Sequence, residues 1–115
     1  MHYVDGFVLA VPTNKREEYR LFAEKMAPLF KQYGALSVVE CWGDEVPEGK
    51  VTSFPMAVKC QPDETVVFSW IVWPSKAVKQ KAMPEIFANP LFDMPNASLP
   101  FDGKRMIFGG FEQIV

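Results

Sequence analysis

Two stretches of this chain are apolar on both sides of an extended backbone, which narrows the folds open to it more than any other feature. From 3 to 11, Tyr3, Asp5, Phe7, Leu9 and Val11 alternate with Val4, Gly6, Val8 and Ala10. From 65 to 73, Val66, Phe68, Trp70 and Val72 alternate with Val67, Ser69, Ile71 and Trp73. Strands of this kind belong in the middle of a sheet with something packed against each face. At 115 residues the chain makes about one domain, and only two segments show sustained helical periodicity. Two helices cover one face of a sheet. The other face needs the proline-rich segment or a second subunit, and we expect an identical copy packed about a two-fold axis.

The remaining elements follow from local chemistry. Asn14 with Glu17 reads as a capping box, and Tyr19, Phe22, Ala23, Met26, Phe30 and Tyr33 then recur at helical spacing up to Gly34, a residue suited to ending a helix. Pro28 lies inside and is expected to bend it. A strand from 35 to 42 sets Leu36, Val38, Glu40 and Trp42 against Ala35, Ser37, Val39 and Cys41, with a solvated loop from 43 to 49. Residues 56–60 read as extended and turn through Gln61-Pro62-Asp63-Glu64 into the 65–73 strand. Ser75 caps a second helix carrying Ala77, Val78, Ala82 and Phe87, which Pro84 kinks or restarts. Pro90, Pro95 and Pro100 make an irregular arm from 89 to 101. Asp102-Gly103 turns the chain into a last strand from 104 to 114, where Gly109-Gly110 predicts a bulge or a close backbone approach. The order predicts one α+β domain over 1–115, a ferredoxin-like split βαβ sandwich with an antiparallel sheet.

Several function classes are disfavoured. A formal charge of −2 gives no electrostatic reason to bind nucleic acid or an anionic membrane. His2 is the one histidine, so multi-histidine metal sites are excluded and no metal is expected. Cys41 and Cys60 form no CxxC pair and read as half-buried structural thiols; the acidic neighbours of Cys41 give no support to a thiolate. No glycine-rich phosphate loop is present, so no nucleotide or flavin cofactor is expected. The longest apolar run, 66–73, is far shorter than the roughly 20 residues that span a bilayer, and the first residues lack a leader pattern. A cytoplasmic location is the expectation.

YVDGF at 3–7, GA-x-x-VVECW at 34–42, VPxGKVTxF at 46–54, VVFSW at 66–70 and PFDGKRMIxGGFE at 100–112 together resemble the YbaA-like family of small bacterial proteins of unassigned function. The resemblance covers nearly the whole chain. It implies a dimeric α/β barrel, in which two sheets pack face to face, and no established activity or catalytic residue. Where that family carries an Asp-Pro-Arg-like element, this chain reads Asn89-Pro90-Leu91.

Candidate site residues come from polar groups on the apolar strands. Asp5 and Glu40 are carboxylates among apolar neighbours; if they face the uncovered side, they reach an apolar cavity suited to general acid–base work, and otherwise they are structural ion pairs with Arg105, Lys59 or a backbone amide. Tyr3, Trp42 and Trp70 either wall a pocket for a flat apolar ligand or are packing. Arg105 either fixes an anionic group of that ligand or pairs with Asp102. The functional expectation is a homodimer binding a small hydrophobic molecule inside the barrel, with a cofactor-independent reaction or, as the alternative, a binding or regulatory role without chemistry.

Overall fold

The computed structural model describes residues 1–92 and 99–115. Strand β1 (Tyr3–Pro12) passes through a 3-10 turn into helix α1 (Arg16–Gln32) and strand β2 (Ser37–Trp42); a short helix α2 (Phe54–Ala57) precedes β3 (Glu64–Trp73), α3 (Lys76–Ala88) and β4 (Ile107–Glu112). The sheet runs β2-β3-β1-β4 with every neighbouring pair antiparallel. The two strands that are apolar on both faces are the central ones, and the α+β expectation holds.

Register assigns the faces, because residues directly opposite one another share a side. Leu9 lies opposite Val67, Asp5 opposite Ile71 and Tyr3 opposite Trp73, and this is the helix side. There Met26 and Leu29 of α1 and Ala82 and Ile86 of α3 close over Ile71 and Trp73. Leu9, Val11 and Val67 pack with Tyr19. The chain measures 38 × 35 × 20 Å, and 20 Å is the depth of one helix layer on one sheet. The opposite face carries Val4, Val8, Phe68, Trp70, Val72, Ile107 and Phe111 and, among the described residues, has no helix layer.

Several local expectations change. Asn14 and Glu17 make no capping box; residues 13–15 form a 3-10 turn instead, and α1 starts without a side-chain cap. Gly34 does end the helix, at φ +115°. Residues 56–60 are not extended. The Ser53 hydroxyl accepts from the Met56 N–H and Pro55 sits in the first turn, so a helical turn forms where the apolar run alone suggested a strand. Val58 then packs on Val8, Ala10 and Val66, covering one corner of the open face from within the chain.

Ser75 caps α3 as expected, accepting from the Val78 N–H, and the helix continues through Pro84. Ala82 and Ile86 are its buried residues, whereas Phe87 is exposed. Of the arm expected from 89 to 101, residues 93–98, Pro95 included, lie outside the described residues. The last strand starts at Ile107, because the Asp102 carboxylate accepts from the Lys104 N–H and winds 103–105 into a 3-10 turn. Gly110 marks a close approach rather than a bulge. The β1–β4 register runs unbroken from Tyr3↔Glu112 to Val8↔Ile107, and a Cβ on Gly110 would lie 2.3 Å from the Tyr3 hydroxyl oxygen.

Candidate functional site

A cavity of about 160 Å³ lies between α1 and the sheet. The 3.6-residue repeat of α1 points Tyr19, Phe22, Ala23 and Met26 toward the strands, which supply Leu9, Ser69 and Ile71. Phe101 flanks its mouth, edge-on to Tyr19 at 5.8 Å and to Phe22 at 5.9 Å between ring centroids.

One carboxylate faces this apolar space. Glu40 lies opposite Ser69 in the β2–β3 register, and the Tyr19 hydroxyl donates to its Oε1 at 2.6 Å. Burial raises the Glu40 carboxyl above its usual range, partly offset by hydrogen bonds from Tyr19 and Ser69. Because β2 is an edge strand, Glu40 keeps contact with solvent although protein atoms crowd its carboxylate, and water moderates the rise. Tyr19, 7% exposed, is pushed well above the ordinary phenol range by burial and then by the Glu40 charge, so it stays a proton donor at neutral pH.

An outer recess of about 220 Å³ opens beside Glu40, lined by Arg16, Tyr19, Arg20 and Trp42. The Arg16 guanidinium lies 5.6 Å from the Trp42 ring centroid, in cation–π range. Arg20 is bound to Glu17 and Glu24 along α1.

Asp5 is elsewhere. It is 6% exposed on the helix side, where its Oδ2 accepts from Trp73 Nε1 at 3.0 Å and its Oδ1 from Lys79 Nζ of α3. Lys79 also lies over the Tyr3 ring, 5.2 Å from its centroid. Neither Asp5 nor Glu40 reaches the uncovered side. Asp5 takes the ion-pair role, with Lys79 rather than Arg105 or Lys59, and Tyr3 belongs with it. Trp70 is on the open face beside Phe68, in a concavity of about 670 Å³ lined by apolar residues such as Val4, Phe68 and Phe111. The proposed residues thus divide into four places, counting Arg105 at the turn before β4; the α1 cavity holds Glu40, with Trp42 at its outer recess.

Arg105 is held by four hydrogen bonds: two of 2.7 Å to Glu64, one of 3.0 Å to Asp102 and one of 2.9 Å to the Lys59 carbonyl. It pins the turn before β4 to the start of β3. These bonds, opposed by burial, hold the Glu64 carboxyl below its ordinary value of 4.5. Arg105→Ala is expected to cost about 1–3 kcal/mol at neutral pH, where Glu64 is ionised in both folded and unfolded chains. A depressed carboxyl contributes stability above its unfolded pKa and loses it as pH falls through the folded one. The gap between wild-type and variant urea midpoints should therefore be wide at pH 7 and narrow progressively below pH 4.5; an unchanged gap in acid would refute this role.

Sequence reasoning missed Tyr19, Lys79 and Trp73 as polar partners. Each was hidden by its apolar body or its exposed-looking helix position; the one available signal was a phenol on the apolar stripe of α1. Both cysteines are free, but Cys41 is exposed rather than half-buried. Among the described residues no group of three or more His, Cys, Asp or Glu is placed to hold a metal ion, and no helix is long and apolar enough to cross a membrane.

Comparison with known proteins follows the same outline. Residues 2–103 match the family model described as "Protein of unknown function (DUF1428)". The uncharacterized protein YbaA of Escherichia coli strain K12 is 56% identical over 115 residues, spanning all of this chain and 98% of the relative. YbaA of Shigella flexneri gives the same figures. Among solved structures, Rv0793 from Mycobacterium tuberculosis superposes with a TM-score of 0.58 over 100% of this chain and 97% of that one, at 12% identity, a likeness of fold alone.

Proposed function

We propose, for a chain that belongs to the DUF1428 family of proteins of unknown function, that it binds a small hydrophobic molecule in the cavity between α1 and the sheet and pairs with a second copy through its open face. The observation that carries the first part is the company of Glu40: an apolar cavity of about 160 Å³ with one carboxylate and one phenol at its wall. Asp5, by contrast, is spent on Trp73 and Lys79. This moves the expected ligand from between the two sheets to the helix side. Glu40 is then the group placed to exchange a proton with a bound molecule.

The open face supports the second part. Phe68, Ile107 and Phe111 are 43%, 45% and 61% exposed there, a contiguous apolar patch of the kind that marks an interface. Two-fold packing of such faces would complete a dimeric α/β barrel. The interleaving of β1–α1–β2 with β3–α3–β4 in one antiparallel sheet supports the ferredoxin-like split βαβ reading.

Toluene tests the cavity. Titration into the wild type should shift NMR signals of Met26 and Ile71 methyl groups saturably, and Ala23→Leu, which fills the space, should abolish the shift while preserving the circular dichroism spectrum. Equal shifts in both proteins, or none in the wild type, would remove the reading.

A further inference from the structure

We propose that the ligand of the α1 cavity is a single-ring aromatic bearing a hydroxyl group, a phenol, whose O–H donates to the Glu40 carboxylate. This assignment rests on the cavity reading above and names the ligand class for it. Size comes first. A cavity near 150 Å³ with apolar walls holds one benzene ring, and this one measures about 160 Å³. Phe22 and Phe101 already meet edge-on, and their rings offer a flat guest the same offset and edge contacts.

The polar wall then sets the chemistry of the guest. An ionised carboxylate offers about four acceptor sites and no donor. Tyr19 gives Glu40 one hydrogen bond, Ser69 lies opposite it in the register, and among the described residues no Lys or Arg pairs with it. Glu40 is exposed on the edge strand. Its remaining acceptor sites therefore face solvent through the outer recess on one side and line the apolar space on the other, where a guest can meet them. A guest carboxylate would face Glu40 as a like charge. A guest ammonium would have to give up its hydration among apolar walls that offer it one carboxylate and no ring of further acceptors. A neutral hydroxyl on an aromatic ring meets neither obstacle, and its bond to the carboxylate is charge-assisted.

Phenol and toluene are near-isosteres that differ in the hydroxyl, so calorimetric titration of both compounds into wild type, Glu40→Gln and Tyr19→Phe separates the terms. Glu40→Gln should weaken phenol about 5–10-fold, the worth of the charge in that hydrogen bond, and leave toluene within about twofold. Tyr19→Phe frees an acceptor site on Glu40, and phenol should bind it at least as tightly as it binds the wild type. Parallel changes in the two compounds with Glu40→Gln, or toluene binding without phenol binding, would overturn the hydroxyl assignment and leave the cavity reading standing. Binding of neither compound to the wild type would end both.

Discussion

Asp5→Ala lowers the stability of this protein by about 3–5 kcal/mol, the usual cost of removing one partner from a buried charge pair. The carboxylate is 6% exposed and holds two donors from different elements. Lys79, 23% exposed along its side chain, can turn toward water when its partner is lost. Trp73 cannot: it is fully buried, and its indole N–H would be left without an acceptor. Asp5→Asn keeps one carbonyl oxygen for that N–H and should cost less, about 1–3 kcal/mol. Urea unfolding followed by circular dichroism gives both values. The comparison also separates structure from chemistry. A structural Asp5 predicts that folded Asp5→Asn binds toluene as the wild type does. Full stability combined with lost binding would return Asp5 to the site.

How far the sequence reached is clearest at these two carboxylates. Alternation placed Asp5 with Leu9 and Val11, and Glu40 with Val38 and Trp42, and the register confirms both sets. It did not say which set faces the helices. A one-sided strand would have declared its core face, but β1 and β3 are apolar on both, so parity alone leaves two solutions. The choice lay in long-range partners, Tyr19 for Glu40 and Lys79 for Asp5, 21 and 74 residues away in sequence. Residues 56–60 failed for another reason. Ser53 and Pro55 are a legible helix start, yet the apolar run behind them fits a strand equally well, and the turn it forms is too short for periodicity to show. The family resemblance, carried by strings on all four strands and on the 46–54 segment, was read correctly because such strings depend on residue order rather than on which side they face.

The proposed pairing of copies makes the other large prediction, at Trp70. This residue sits near the middle of the open face, opposite Val39 on one side and Gly6 on the other. Gly6 in turn lies opposite Gly109, and the Phe111 ring rests 3.5 Å from where either glycine would carry a Cβ, so indole and phenyl share one apolar surface. A carboxylate at the centre of such a surface stays hydrated in a lone subunit and must be stripped of water in a pair. Trp70→Glu is therefore expected to weaken dimerisation by about 100-fold or more, within the range set by central aromatic anchors. Phe111→Glu, on the edge strand, serves as a second probe with less demand on the sheet. Phe108→Glu is the control, because Phe108 is 72% exposed but faces the helix side with Phe7. Light scattering across a concentration series should return twice the chain mass for wild type and Phe108→Glu and a single chain mass for the other two. A wild type that stays at single mass throughout, or three variants that behave alike, would show that the bare sheet face is not where copies meet.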